Sequence, residues 1–292
     1  MALVDFAYHR PASLSEACAL GQRLQPDAAF LAGGTDLIPD YQRKRETAHH
    51  LIALAAIPEL HGIAIDGDVL RIGALSTLAE VASSPLVHGW FPLLAEAAHS
   101  VGSRQVRSVA TIGGNFCRAV PCADTPPAVL VGDGRVRLMG PDGDRTLAAD
   151  RFFVGARETA LRAGEVMVEL RLPVQPAHSG ASYQRFARRN GSSLAVAAVA
   201  VRITLVRGRI TGARIALGAV SPTPRLAVDA AALLEGDAPS EVAFARAAAV
   251  CAESASPIDD VRGSIAFRRD LVRVLAQRAL TEATDRAQRS SP

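Results

Sequence analysis

Two glycine pairs, about eighty residues apart, set the strongest constraint on how this chain can fold. Gly33-Gly34 lies in "AAFLAGGTDL" and Gly113-Gly114 in "TIGGNFC", and each pair follows apolar residues and precedes polar ones. Glycine tolerates positive φ angles and lets a ligand approach the backbone, and the start of a following helix offers unpaired N–H groups. One such pair is most simply a tight turn. Two pairs of the same form favour an extended ligand with two phosphates lying between them.

Two widespread phosphate-binding motifs are absent from the sequence. There is no GxGxxG fingerprint of a dinucleotide fold and no GxxxxGK[ST] loop. Neither glycine loop contains Lys or Arg. We therefore expect backbone N–H groups and dipoles, rather than charged side chains, to offset the phosphates.

Length and charge restrict the class of protein. The chain has 292 residues, enough for two domains. Its formal net charge of +3 comes from 32 basic and 29 acidic residues that are scattered along the sequence, so a nucleic-acid partner is not predicted. The best apolar run, "LAVAAVAV", ends at Arg202. It is far shorter than the roughly 20 residues that cross a bilayer, and no integral membrane segment is predicted.

The cysteines and histidines indicate neither a disulfide scaffold nor a metal site. Four cysteines are too few for the scaffold and form no CxxC pair: Cys18, Cys117, Cys122 and Cys251. A reducing cytoplasm is the expected location, and "MALVDFAYHRP" lacks the pattern of a signal peptide. His49 and His50 would point to opposite faces of a strand and have no third ligand in the pattern, so we expect no metal.

The first segment, about residues 1–58, is predicted to alternate helices and strands. Apolar spacing in "LSEACALGQRL" indicates a helix, with Ser13 as N-cap and Glu16 as its capping-box partner. "AAFL" and "HHLIALAAI" are typical of short buried strands. A second helix should begin at Thr35 or Asp36, with Pro39 limiting how it continues.

The second segment, about residues 59–175, is predicted to be richer in strands. Asp66-Gly67-Asp68 indicates a hairpin. Helices are expected in "STLAEVASSPLV", capped by Ser76, and in "FPLLAEAAHSVGS". Residues 105–152 alternate short apolar runs with turn residues, which predicts a sheet of hairpins, and a last strand should end at Pro173.

The third segment, residues 176–292, is predicted to be a small α+β domain. Residues 193–220 are typical of long antiparallel strands that turn near Arg207-Gly208. Two helices follow, around "SEVAFARAAAVCAES" and "SIAFRRDLVRVLAQRALTEATDRA".

Several stretches together resemble one family. "AGGTDL" and "TIGGNFCRAVPCADTPPAVL" resemble the two FAD-binding signatures of the medium, flavoprotein subunit of molybdenum hydroxylases, the family of carbon monoxide dehydrogenase and bacterial xanthine dehydrogenase. "FAYHRPASLSEA", "FFVGARETALRAGEVMVELRLP", "LGAVSPTPRL" and "RGSIAFRRDLVRVLAQRAL" resemble other parts of that subunit, in the same order. The resemblance covers essentially the whole chain and is specific to the family, but not to a substrate.

The resemblance implies a fold and a set of contacts. The fold is α+β: a two-part FAD-binding domain of the vanillyl-alcohol-oxidase (PCMH) type over residues 1–175, then a C-terminal α+β domain with an antiparallel sheet and helices over 176–292. Asp124 matches an acidic residue near FAD, Val168 an apolar position beside the isoalloxazine, and Arg185 a position near flavin N1, with Tyr183 as a weaker candidate. The loops expected to wrap the FAD pyrophosphate comprise Ala32, Gly33, Gly34, Thr35, Asp36, Leu37, Thr111, Ile112, Gly113, Gly114 and Asn115.

Two residues depart from the family pattern. Phe116 stands where Leu is usual, and Cys122 stands where another small residue is frequent. Some relatives carry an extra iron–sulfur cluster on this subunit, but four cysteines at cluster spacing are absent here. We therefore expect no cluster in this chain, and buried structural roles for its cysteines.

The resemblance also implies a function within a complex. A large partner subunit would hold the molybdenum cofactor and a small one two [2Fe-2S] clusters, with a dimer of heterotrimers as the expected assembly. Electrons would pass from the clusters to FAD on this chain and then to an external acceptor. The complex would be cytoplasmic, with membrane association through the complex left open. The alternatives are a stand-alone FAD oxidase or dehydrogenase of the same fold, and a scaffold that has lost its flavin.

Overall fold

The N-terminal part of the chain is a small parallel sheet with two helices. The computed structural model describes residues 5–189 and 191–289. Three parallel strands lie in the order β1-β3-β2. The elements are β1 (Ala7–His9), α1 (Leu14–Leu24), β2 (Ala28–Leu31), α2 (Leu37–Gln42) and β3 (His50–Ala53), followed by a 3₁₀ turn at Pro58–Leu60.

Both helices begin close to where the sequence predicts. The Ser13 hydroxyl accepts a hydrogen bond from the backbone N–H of Glu16, as expected for an N-cap, while the Glu16 carboxylate accepts from Ala12 rather than from Ser13. Helix α2 follows Asp36. Pro39 lies in its first turn, where a missing N–H removes no intrahelical hydrogen bond.

A five-stranded antiparallel sheet forms the centre of the second segment. The predicted hairpin is present, with Asp66 paired to Val69 across a Gly67-Asp68 turn, and the last strand ends at Pro173 as predicted. The strand order is β4-β5-β10-β6-β7. Its members are β4 (Ile63–Asp66), β5 (Val69–Gly73), β6 (Arg135–Gly140), β7 (Gly143–Ala148) and β10 (Val166–Pro173). A 3₁₀ turn at Ala149–Arg151 precedes a separate two-stranded sheet of β8 (Phe153–Gly155) and β9 (Glu158–Thr159).

The prediction of hairpins throughout residues 105–152 was wrong for its first half, which is helical. Thr111 caps α7 by accepting a hydrogen bond from Gly114 N–H at 3.0 Å. Helix α8 carries Pro126-Pro127 in its first turn, where their missing N–H groups leave no helical bond unmade, and it is buried on every side, so no amphipathic pattern marks it. The six helices between β5 and β6 are α3 (Leu78–Ser83), α4 (Pro85–Trp90), α5 (Pro92–Ser100), α6 (Arg104–Arg107), α7 (Ile112–Cys117) and α8 (Thr125–Val131).

The predicted cap of α3 was wrong by one residue. Thr77 and Glu80 form the reciprocal capping box, with the Thr77 hydroxyl accepting from Glu80 N–H and the Glu80 carboxylate accepting from Thr77 N–H. The Ser76 hydroxyl instead donates to the carbonyl of Gly62 at 3.1 Å. The sequence contains both hydroxyls in succession, and only the backbone path decides between them.

The C-terminal part is a four-stranded antiparallel sheet with helices packed on it, as predicted. Helix α11 lies against β11 and β12, and α10 packs on α11. The turn at Arg207-Gly208 joins β12 to β13. The elements are β11 (Ser179–Ala187), β12 (Ala195–Val206), β13 (Arg209–Gly218), β14 (Arg225–Leu226), α9 (Val228–Ala232), α10 (Glu241–Ser254) and α11 (Ile265–Arg289).

The contact between β11 and α11 gives a test of this packing. A Cβ at Gly180 would overlap backbone atoms of Ala283 and Ala287, whereas a Cβ at Gly212, in the same sheet, would meet Thr204 at an ordinary 3.7 Å. We expect Gly180→Ala to lower the free energy of unfolding by about 3 kcal/mol because the helix must move off the sheet. Gly212→Ala should change it by less than about 1 kcal/mol. Urea unfolding of both variants checks this, and equal effects would contradict it.

Candidate cofactor site

A cavity of about 490 Å³ lies between the two glycine loops. Its volume falls in the range of small-molecule sites. Apolar residues from several elements form part of its wall, among them Phe30, Leu75, Leu78 and Met167, and the C-terminal part contributes 192–194. The cavity is therefore walled by both parts of the molecule.

The structure brings most of the predicted contact residues to this cavity. Ile112, Val168 and Arg185 do not line it. The eleven that do are Ala32, Gly33, Gly34, Thr35, Asp36, Leu37, Thr111, Gly113, Gly114, Asn115 and Asp124.

The first glycine loop offers unused backbone donors. Within the part of the chain that the structure describes, the N–H groups of residues 33–37 donate to no protein acceptor. Gly34 adopts a φ of +70°, a conformation that disfavours side chains with a Cβ. Five consecutive amides without a partner, beside a cavity, are what a phosphate-binding loop needs.

The second glycine loop differs, because its amides are already paired. The N–H of Ile112 donates to Ser76 O, that of Gly113 to Ala74 O, and that of Asn115 to Thr111 O, at 2.8–3.0 Å. The N–H of Gly114 goes to the Thr111 hydroxyl. The two loops are thus unlike, although their sequences predicted like roles.

The remaining donor capacity of the second loop is on a side chain. The Thr125 hydroxyl donates to Asn115 Oδ1 at 2.6 Å. This bond fixes which end of the amide faces Thr125, and it leaves the Asn115 NH₂ group as a donor. Asn115 also lines the cavity.

Two of the four glycines are required by packing rather than by a ligand. A Cβ at Gly33 would overlap the carbonyl oxygen of Val109, and one at Gly113 would lie 2.7 Å from the carbonyl oxygen of Ala74. A Cβ at Gly114 would lie 2.9 Å from the Thr111 hydroxyl and 4.0 Å from Ala32 on the opposite loop. Gly114 is therefore the position from which an added side chain would lie between the loops.

Asp124 is a buried carboxylate with two partners from the C-terminal part. The Tyr183 hydroxyl donates to Asp124 Oδ1 at 2.8 Å, and Arg185 Nε lies 3.2 Å from the same oxygen. Burial raises the pKa of Asp124 to about 6, although Arg185 and the hydrogen bond from Tyr183 act in the opposite direction. Burial also raises the pKa of Tyr183, and the neighbouring Asp124 charge adds to the shift.

Arg185 does not line the cavity but joins α5 to the C-terminal wall. Its Nη1 donates to Ser100 O at 2.7 Å and its Nη2 to Ser193 O at 2.6 Å. Ser100 ends α5, and Ser193 belongs to the C-terminal wall of the cavity. The guanidinium thus joins the two parts of the chain, a role that the sequence pattern did not distinguish from direct ligand contact.

Val168 lies in the core, away from the cavity wall. It is fully buried, and its carbonyl accepts a hydrogen bond from Ala74 N–H at 2.8 Å. The pairing register of β10 with β6 shifts between Met167 and Glu169, and the neighbours Val166 and Met167 line the cavity instead. A bulge of this kind changes which side chains face a site and leaves no mark in the apolar pattern.

Two charged residues of the wall, Glu165 and Arg118, were not predicted from the sequence. Arg118 directly follows α7 and lines the cavity. It forms an ion pair with the buried Asp40 of α2. The only indication in the sequence is its position, four residues beyond Gly114.

The cysteines are reduced in the structure. Cys117 and Cys122 line the cavity, and burial raises the pKa of Cys117 to about 12 and also that of Cys122. Over residues 5–189 and 191–289, no group of three or more His, Cys, Asp or Glu is placed to hold a metal ion. In the same ranges no helix is long and apolar enough to cross a bilayer.

These features suit a dinucleotide such as FAD. A cavity wall with apolar patches, unpaired amides on one loop and an amide donor on the other matches a ligand with ring systems joined through a diphosphate.

Comparisons with known proteins give the same indication over the whole chain. Residues 4–175 match the model of the FAD binding domain in molybdopterin dehydrogenase, and residues 181–283 that of the CO dehydrogenase flavoprotein C-terminal domain. The chain is 36% identical to the carbon monoxide dehydrogenase medium chain of Hydrogenophaga pseudoflava over 95% of this chain and 96% of that protein. It is 29% identical to the xanthine dehydrogenase FAD-binding subunit of Escherichia coli O157:H7, over 96% of this chain and 97% of that protein.

A solved structure is similar in three dimensions as well. A chain of the carbon monoxide dehydrogenase from Hydrogenophaga pseudoflava superposes with a TM-score of 0.96 at 37% identity, covering 98% of this chain and 99% of that one. The fold described above is therefore that of this solved chain.

The buried Asp124 predicts a pH dependence of stability. Because the pKa of Asp124 is raised in the folded state, its contribution to stability is fully present below about pH 4 and is lost as the pH rises through about 6. The loss amounts to about 3 kcal/mol. In the flavin-free chain, we expect Asp124→Asn to remove this pH-dependent part of the free energy of unfolding, measured by urea unfolding at pH 4.5 and 7.5. Asp285→Asn, at an exposed position on α11, is the control and should retain it; identical pH profiles for both variants would contradict the account.

Proposed function

The chain belongs to the FAD-binding medium subunits of the molybdenum hydroxylase family, and from this membership we propose that it is the electron-transfer component of a complex. It would receive electrons from [2Fe-2S] clusters on a small partner subunit and deliver them to an external acceptor. Bound FAD supplies the reversible redox chemistry. The chain's own residues bind the cofactor, orient it and exclude water from it.

One observation supports this proposal above the others. The two glycine loops, which one family model covers, line one cavity, and in residues 5–189 and 191–289 the first loop has five consecutive amides without a protein acceptor. Amides left unpaired at a cavity wall would be costly without a ligand or water to accept from them. A diphosphate supplies such acceptors.

We propose that the residues act in three groups. The amides of residues 33–37 bind the diphosphate, and Asn115 and Gly114 complete the opposite side. Asp124 lies at the cavity wall and is held by Tyr183 and Arg185. Ala32, Thr111, Ile112 and Val168 belong to the same framework, with Ile112 and Val168 supporting the wall from the core.

The role of Arg185 is one of positioning in this proposal. Through Ser100 and Ser193 it joins the end of α5 to the C-terminal wall of the cavity. Its charge also reaches Asp124. Arg185 would therefore affect the flavin through these neighbours.

We propose that residues 1–175, in subdomains of about 1–58 and 59–175, hold the cofactor, and that residues 176–292 cover one side of it. The partners would be a large subunit with a molybdenum cofactor and a small [2Fe-2S] subunit, in a dimer of heterotrimers. The names of the relatives as medium chains and FAD-binding subunits support a place for this chain in a complex of several subunits. Four free cysteines agree with a reducing, cytoplasmic setting.

The direct test is the visible spectrum of the purified full chain. We expect a yellow protein whose flavin is released on denaturation, because no residue of the described cavity wall is a histidine of the kind that links covalently to flavin. Two companion chains should co-purify from the native host. A colourless chain that refuses added FAD would contradict the proposal, and a lone chain that oxidises a substrate by itself would favour a stand-alone oxidase.

A substitution between the loops tests where the cofactor lies. We expect Gly114→Val to weaken FAD binding at least tenfold, about 1.4 kcal/mol, because the added side chain lies between the loops. Gly89→Val is a matched control, since Gly89 is also in a short helix and a Cβ there meets nothing within 4 Å. FAD titration of both variants is the measurement. Unchanged affinity for Gly114→Val would place the cofactor elsewhere.

A further inference from the structure

The charges on the cavity wall are unbalanced against an anionic ligand. Among the described residues that line it, three are acidic, Asp36, Asp124 and Glu165, and one is basic, Arg118. The diphosphate of a dinucleotide adds two further negative charges. Amide dipoles alone would have to offset all of these if Arg118 took no part.

Two of the three acids already have cations of their own. Asp124 lies 3.2 Å from Arg185, and Glu165 accepts two hydrogen bonds from Arg145 at 2.7 Å. Neither of these arginines lines the cavity. The unbalanced acid at the wall is Asp36. Burial lowers the pKa of Arg118 and the charge of Arg157 adds to this shift, while Asp36 acts in the opposite direction.

The guanidinium of Arg118 has capacity left for a ligand. Its Nη2 is bound to Asp40, while its Nε is buried and has no hydrogen-bond partner among the described residues. Arg157 Nη1 lies 3.8 Å from the same Asp40 carboxylate, so two cations share one buried anion. An unpartnered buried N–H is stabilised by a further acceptor.

The position of Arg118 relative to the loops is fixed. Asp40 lies in α2, which begins after the first glycine loop, and Arg118 ends α7, which contains the second. The ion pair therefore connects the two helices that flank the cavity. A ligand that lies between the loops would lie beside this guanidinium.

We propose that Arg118 is the cation that binds the diphosphate of the cofactor, and that Asp40 positions it. The inference rests on the proposed FAD function and adds to it a side chain outside both glycine motifs. Charge-assisted hydrogen bonds of guanidinium to phosphate oxygens are among the stronger polar contacts in proteins.

The test compares a flavin that has a diphosphate with one that has none. The full chain is stripped of flavin and titrated with FAD and with riboflavin. Arg118→Met should weaken FAD binding about 10- to 100-fold and riboflavin binding by less than about threefold. Arg118→Lys, which keeps the charge, should lie between Arg118→Met and the unmodified chain. The salt dependence of FAD affinity gives a second readout, and its slope should be smaller for Arg118→Met.

A second variant distinguishes phosphate binding by Arg118 from a purely structural role in joining the two helices. Asp40→Asn breaks the ion pair but keeps the guanidinium, so it should lose less FAD affinity than Arg118→Met and keep the salt dependence. If Arg118 only joins the two helices, both variants should weaken FAD and riboflavin alike, and that result would overturn the inference. So would an Arg118→Met variant that binds FAD as tightly as the unmodified chain. An unmodified chain that binds neither flavin would instead contradict the proposed function.

Discussion

The structure depends on close backbone contacts that leave no room for a side chain. Gly33 of the first loop lies against the carbonyl of Val109, just ahead of the second loop, and Gly113 lies against the carbonyl of Ala74. These contacts press each loop onto the backbone that supports it. The shape of the cavity follows, because neither loop can move away from its support without losing this packing.

The two glycine loops have similar sequences but differ in the hydrogen bonding of their backbone amides. The amides of the second loop donate to Ser76, Ala74 and Thr111, whereas those of the first loop have no protein acceptor among the described residues. The positive charge comes from residues outside both motifs. Arg118 lies at the wall and Arg185 behind it, and each is held by a buried carboxylate. A glycine motif thus describes the backbone of a site but not its electrostatics.

Much of the fold could be predicted from the sequence, since periodicity, caps and turn residues act locally. The hairpin at Gly67-Asp68, the Ser13 cap and the C-terminal sheet are examples. Helix α8 could not be predicted in this way, because it is buried on all sides and its apolar run is equally typical of a strand. The register shift beside Val168 and the side-chain partners of Arg185 are set by tertiary contacts, which a single sequence does not contain.

The central claim is that a dinucleotide lies between the two loops with its diphosphate on the first. A crystal structure of the FAD-loaded chain measures this directly. We expect phosphate oxygens about 3 Å from the amide nitrogens of residues 33–37. A cofactor lying outside this cavity, or first-loop amides that contact only water, would contradict it.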